Sequence, residues 1–144
     1  FLGGPMKLAD HTETMSMTGK ACGNIFENLS DEDRRRVYYY SIFPTLLISP
    51  QPDYVLVHRV ERVNVDTTRV ICELLFHPSS TADKDFDATG AVQFWDEVNR
   101  QDWHVCELSQ QGIKSRAYEP GPYSNLESVL AAFDRYYLEQ LGEE

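Results

Sequence analysis

Apolar residues follow two different rhythms along this chain. Before Pro78 they come in short runs rich in β-branched and aromatic side chains; after Ala88 they recur at helical spacing. Residues 6–10 and 12–18 interleave Met6, Leu8, Thr12, Thr14, Ser16 and Thr18 with Lys7, Glu13, Met15 and Met17, which predicts a half-buried strand. Residues 19–30 carry Gly19, Gly23, Asn24 and Asn28 and read as loop. Ser30 then caps a helix of one or two turns, with Asp33 at its third position and Arg34, Arg35 and Arg36 at its C-terminal end. Val37 to Phe43 and Thr45 to Ser49 read as strands separated by Pro44. Pro50-Gln51-Pro52-Asp53 is a turn. Tyr54–Arg62 alternates, with Val55, Val57 and Arg59 on one face and Leu56, His58 and Val60 on the other. It pairs as a long hairpin with Thr68 to His77, and residues 78–83 are loop.

Residues 88–111 predict a long helix from Ala91, Trp95, Val98, Val105 and Cys106, with Gly112 as its stop. Ser124 and Glu127 form a capping box for a last helix through Val129, Phe133, Tyr137 and Leu141 to Gly142. The expected class is α+β: an antiparallel meander followed by long C-terminal helices, in one domain spanning residues 1–144.

Composition narrows the function classes. At 42% hydrophobic and 25% charged, the 144 residues are those of an ordinary globular chain. The 13 Lys and Arg against 23 Asp and Glu give a formal charge of −10, which disfavours nucleic acid as a partner. No apolar run reaches the roughly 18 residues of a membrane span. Three cysteines without a CxxC spacing argue against a disulfide framework or a structural zinc site, and so for a cytoplasmic location. The opening Phe1-Leu2-Gly3-Gly4-Pro5 has neither an initiator Met nor a signal-peptide pattern, and reads as a piece of a longer polypeptide.

Asp102 does not fit its place on the long helix. Val98 lies one turn back, Trp95 two turns back, and Val105 and Cys106 one turn on. A carboxylate on that stripe either meets water at its edge, pairs with Arg100 or Lys114, or is buried and needs a cation, a metal or a donor beside it. His104 points to another side of the helix, and no two histidines have the spacing of a local metal site. Cys106 reads as a buried, inert thiol. Tyr38, Tyr39, Tyr40, Trp95 and Trp103 read as core, or as an aromatic cage for a cation.

Several segments together resemble the C-terminal part of the catalytic domain of Rieske-type ring-hydroxylating oxygenase α subunits. They are Tyr38 to Pro44, Pro52 to Val55, Phe94 to Trp103, Val105 to Ile113, Ser115 to Ser124, and the last helix from Glu127 to Leu138. The most specific portion is the set Asp102, Glu107, Gln111 and Gly112, and the run from Ser115 to Ser124 is most similar to the subgroup that oxidises quaternary ammonium compounds such as glycine betaine, choline or carnitine. Thr45 departs from the Asn usual in that family after Phe-Pro.

The resemblance implies a helix-grip fold, an O₂-dependent oxygenation of a small organic substrate, and electrons supplied by a reductase. It implies a mononuclear Fe(II) held by two histidines and one carboxylate, with Asp102 at the carboxylate position. The family's Asp/Glu-x-x-His-x-x-x-x-His stretch has no match in this chain, and the Cys-x-His and Cys-x-x-His pairs of the Rieske [2Fe-2S] domain are absent. The expectation is therefore a catalytic-domain fragment, inactive and metal-free alone, whose uncovered sheet makes it a homo-oligomer. The rival expectation is a non-enzymatic helix-grip module that binds a small apolar or cationic ligand.

Overall fold

The computed structural model describes residues 2–142. Five strands form an antiparallel sheet in sequential order: β1 (Leu2–Lys7), β2 (Arg36–Ile42), β3 (Leu46–Pro50), β4 (Tyr54–Arg62) and β5 (Thr68–Phe76). Three helices follow: a single turn, α1 (Pro78–Thr81), then the long α2 (Thr89–Ile113), then α3 (Ser128–Leu141). The α+β class and the meander stand as the sequence predicts, and the sheet with its late helices is consistent with a helix-grip-like fold.

The β4–β5 hairpin sets the core. Its register places Tyr54 opposite Phe76, Leu56 opposite Leu74 and His58 opposite Cys72, so these six side chains share one face. Alternation makes this the apolar face, and α2 covers it: Ala91 and Trp95 are buried against Tyr54 and Leu56. Directional bonds lock the packing. The Trp95 Nε1–H donates to the Tyr54 hydroxyl at 2.6 Å, and that hydroxyl donates to the Met15 carbonyl at 2.6 Å. Burial raises the Tyr54 pKa well above the phenol range, so the hydroxyl stays neutral and can serve as donor and acceptor together.

The first strand departs from expectation. It runs over 2–7, and residues 8–18 form turns. The period-two burial is real, since Thr14 and Ser16 are buried between exposed Glu13 and Met17. The backbone there closes on itself instead of joining a ladder: Glu13 N–H donates to the Gly19 carbonyl at 2.7 Å and Gly19 N–H to the Ser16 carbonyl at 3.1 Å. Alternation in a compact loop thus mimics a strand. β1 itself is hidden by its Gly3-Gly4-Pro5, yet an edge strand tolerates proline. Gly3 is required, because it has φ +153° and an added Cβ would stand 1.9 Å from the Tyr39 carbonyl oxygen.

Helix ends show which caps form. Ser30 accepts from Asp33 N–H at 3.1 Å, but it supports only one 3-10 turn (Asp33–Arg35). Gly112 does not stop α2, which runs through it to Ile113 and ends on a right-handed Lys114. Gly142 does stop α3, at φ +76°. The Ser124–Glu127 box forms by half: the Glu127 carboxylate accepts from Ser124 N–H at 2.6 Å, while the Ser124 hydroxyl takes Leu126 N–H, and the helix starts only at Ser128. Residues 78–83, expected as loop, include α1, with Pro78 in its first turn and the His77 Nδ1 accepting from Ser79 N–H at 3.2 Å. α3 is held by rings: Phe133 and Tyr136 lie 5.4 and 5.5 Å from Phe43, centroid to centroid.

Carboxylates just before α2 and α3 carry a pH dependence. Hydrogen bonds to their charged forms hold Asp87 (from Thr89) and Glu127 (from Ser124) below their usual pKa values. A depressed folded pKa adds stability above the unfolded value, and that stability is lost as pH falls from the ordinary carboxylate range through the lower folded value. Helical circular dichroism followed from about pH 6 to about pH 2 should fall over that window. Glu127→Gln should be less stable at neutral pH and lose less on acidification.

Candidate functional site

The part of α2 that carries the predicted metal ligand is also the part that leaves the core. Ala91, Trp95 and Asn99 are the buried residues of this helix, one turn apart. Asp102 is two turns beyond Trp95 and lies within about 20° of its direction around the helix axis. Helical spacing therefore places Asp102 on the stripe that Trp95 marks. It did not give the burial: from Arg100 to Ile113 every residue is exposed, Asp102 included. The reason is longitudinal. Asn99 is the last buried residue of α2, and the turns that follow are exposed.

Asp102 has none of the partners expected for it. Arg100 pairs instead with Asp96 one turn back at 2.8 Å, and Lys114 pairs with Asp66 at 2.8 Å. The Asp102 side chain makes no hydrogen bond or ion pair with any described residue. His104 is exposed beside it, and so is Cys106, which corrects the reading of that thiol as buried. No aromatic cage forms from the expected residues. Tyr38 and Tyr40 stack on one face of β2 at 6.0 Å, Trp95 packs inside against Tyr54, and Trp103 is at the surface.

Immediately before Asp102 the structure gathers a polar cluster that the sequence reading did not assemble. Asn99 is 6% exposed. Its Oδ1 lies 3.1 Å from the His58 Nε2, and its Nδ2 donates to the Cys72 sulfur at 3.5 Å. His58 also meets the edge of Trp95, ring centroids 6.4 Å apart. Asn, His and Cys together invite comparison with a thiol-nucleophile triad, but the geometry is wrong for one. The amide stands between the thiol and the imidazole, and burial raises the Cys72 pKa, which favours the unreactive thiol. A partial signal was present: the sequence puts His58 and Cys72 on the two strands of one hairpin, and the observed register sets them opposite one another.

A second polar feature lies at the other end of α2. The buried Asp53 carboxylate accepts from the Cys22 and Gly23 N–H groups at 2.8 and 3.1 Å, and so holds the 19–30 loop against the start of β4. Asp53 reads from sequence only as a turn residue; its work is to tie that loop to the sheet.

Among the described residues no cluster of three or more His, Cys, Asp or Glu is placed to hold a metal ion. The resemblance expects Asp102 as the carboxylate of a two-histidine, one-carboxylate iron site, and the described residues do not complete such a site. No helix among them is long and apolar enough to cross a membrane.

Comparison with known proteins shows the family. A sequence model of the ring hydroxylating alpha subunit (catalytic domain) matches residues 2–143. The chain is 30% identical over 145 aligned positions to the glycine betaine monooxygenase oxygenase subunit of Pseudomonas aeruginosa, in two strains, covering 96% of this chain and 34% of the relative. It is 36% identical over 72 positions to the subunit of the same name from Chromohalobacter salexigens, covering 50% of this chain and 16% of the relative. The chain thus spans about a third of the length of the Pseudomonas relatives. A match over nearly every residue, with Asp102 inside it, is the ground for the assignment: the chain belongs to the family of ring-hydroxylating oxygenase α-subunit catalytic domains.

Proposed function

We propose that this chain is the C-terminal portion of the catalytic domain of an O₂-dependent oxygenase that acts on a small quaternary ammonium compound of the glycine betaine type. The observation that carries the proposal is the near-complete match to the catalytic domain, together with Asp102 standing on the line of Trp95 and Asn99 where that helix emerges from the core. In this reading residues 1–144 belong to one domain, and Asp102 supplies the carboxylate ligand of a mononuclear Fe(II). The two histidine ligands and the Rieske [2Fe-2S] cluster come from other parts of the parent polypeptide. The iron would supply O₂ activation, and a reductase the electrons. The parent works in the cytoplasm.

The 144-residue chain alone should be catalytically silent. Purified and exposed to Fe(II), it should retain no stoichiometric iron and consume no O₂ with betaine, choline or carnitine and an electron donor. One iron per chain, lost on Asp102→Ala, would overturn the claim that the site needs ligands from elsewhere.

The uncovered surfaces have a further consequence in solution. Val105, Leu108, Leu130 and Leu138 are each 42–61% exposed on α2 and α3. Apolar area of that kind drives association, so the chain alone forms homo-oligomers through these helices. Burying a leucine is worth about 1.5–3 kcal/mol, and about 1.4 kcal/mol is a factor of ten in affinity. Leu108→Ser together with Val105→Ser should weaken association by roughly tenfold or more. Light scattering after size exclusion reads this directly, and a clean wild-type monomer at high concentration counts against it.

A further inference from the structure

We infer that Asn99 is a positioning residue: by bonding His58 on β4 and Cys72 on β5 at once, it fixes the turn of α2 that presents Asp102. Apolar packing of Trp95 and Ala91 holds the helix on the sheet but is non-directional. It resists separation more than it resists rotation or sliding of the helix. The Asn99 amide adds direction. Its two ends reach two residues that stand opposite one another across the hairpin, the His58 Nε2 at 3.1 Å and the Cys72 sulfur at 3.5 Å. Three atoms of the amide plane and two strands therefore define both the height and the rotation of α2 at this point.

Position along the helix makes this matter. Asn99 is the last buried residue of α2, and Asp102 follows it by three residues on the adjoining part of the same face. Beyond Asn99 every residue of α2 is exposed, and the ion pair that ties its end back to the hairpin, Lys114 to Asp66, is itself exposed and lies twelve residues past Asp102, so Asn99 is the last buried, directional contact before that residue. An amide suits the task better than a carboxylate. It offers an acceptor to the imidazole N–H and a donor to the thiol sulfur, and it brings no charge into a buried place. Burial keeps the Cys72 thiol protonated, and it takes the weak N–H···S bond as a neutral group. The Asn99 Oδ1 accepts only if His58 carries its proton on Nε2, so the contact also selects one imidazole tautomer. Such outer partners orient metal ligands and are costly to lose. The significance for Asp102 rests on the proposed role of that residue as an iron ligand; the clasp itself does not.

The test uses the 144-residue chain and needs no metal. In the wild type, ring ¹⁵N shifts should show the His58 Nε2 carrying a proton. Hydrogen exchange of the 102–106 amides should rise roughly tenfold in Asn99→Leu, the order expected for losing a buried hydrogen-bonded pair. The 91–95 amides should keep wild-type rates, and the His58 tautomer preference should vanish. Cys72→Ala should give a smaller rise at 102–106 and keep the tautomer. A wild-type His58 whose Nε2 carries no proton overturns the proposal, as does unchanged exchange at 102–106 in Asn99→Leu. Should Asn99→Leu not fold, His58→Leu, which leaves the amide in place, carries the exchange test with the same expected rise. Asp102→Ala should leave tautomer and exchange at wild-type values. If an Asp102→Ala oxygenase subunit kept its iron, the ligand reading would fall, while these two readouts would still decide whether Asn99 pins the turn.

Discussion

Trp95→Ala should destabilise the chain by about 3–5 kcal/mol, the range for deleting a large aromatic from a core. Trp95 is 6% exposed and closes the cluster of Tyr54, Leu56 and Ala91 between α2 and the β4–β5 hairpin. Its loss also removes the Nε1–H donor from the Tyr54 hydroxyl. Typical domains are stable by only about 5–15 kcal/mol, so the variant should sit near its unfolding midpoint under mild conditions. Urea denaturation followed by far-ultraviolet circular dichroism measures this. Two comparisons separate packing from hydrogen bonding. Tyr54→Phe keeps the ring but leaves the Trp95 N–H and the Met15 carbonyl unpaired, and should cost about 1–3 kcal/mol. Trp103→Ala removes a tryptophan that is 37% exposed and should cost less than either. Equal losses for Trp95 and Trp103 would contradict the placement of the core.

Asp102→Ala in the full-length oxygenase subunit should abolish iron binding and turnover while leaving the fold intact. The two halves of this expectation come from different observations. Asp102 is exposed and its side chain has no described partner, so removing it should change folding stability by no more than about 0.5 kcal/mol. In its proposed role as the carboxylate ligand of the iron, its loss should exceed the roughly 10–100-fold effect of losing an outer-shell partner. Iron content by elemental analysis should fall from about one per subunit to near zero, and a stable, iron-replete Asp102→Ala protein would remove the residue from the site. Asp102→Glu tests placement: it keeps the charge and moves it by one methylene, and should retain less iron than the wild type. A residue neutral for folding and decisive for iron is the pattern expected where stability and function are carried by neighbouring turns of one helix.

Much of the fold was legible because local patterns and tertiary demands coincide. β4 has the bounds that alternation predicts, and its inward face, Leu56 and His58, is the one on which α2 lies. The strands around Pro44 and Pro50 end within a residue of where sequence places them. Failures cluster where a local pattern has two physical solutions. Buried Thr14 and Ser16 alternate in a turn as they would in a strand, and Gly112 continues a helix as readily as it stops one. β1 was illegible because its strand character comes from pairing with β2, not from its own Leu-Gly-Gly-Pro residues.

The candidate site divides along the same line. Helical spacing alone fixed the direction in which Asp102 projects relative to Trp95, because rotation per residue is a property of the backbone. The hairpin was fixed by turn position and alternation, its facing pairs by the register the structure shows, and the family resemblance by residue identities along the chain. Where the sheet stops covering α2 is a different kind of fact. It depends on how far along the helix the hairpin reaches, and that follows from the docking of Trp95 on Tyr54 and of Asn99 on His58 and Cys72. Only the tertiary structure decided that Asn99 is enclosed and Asp102 is open, three residues apart on one helix. Contacts between residues distant in sequence set that boundary, and no periodicity within the helix records them.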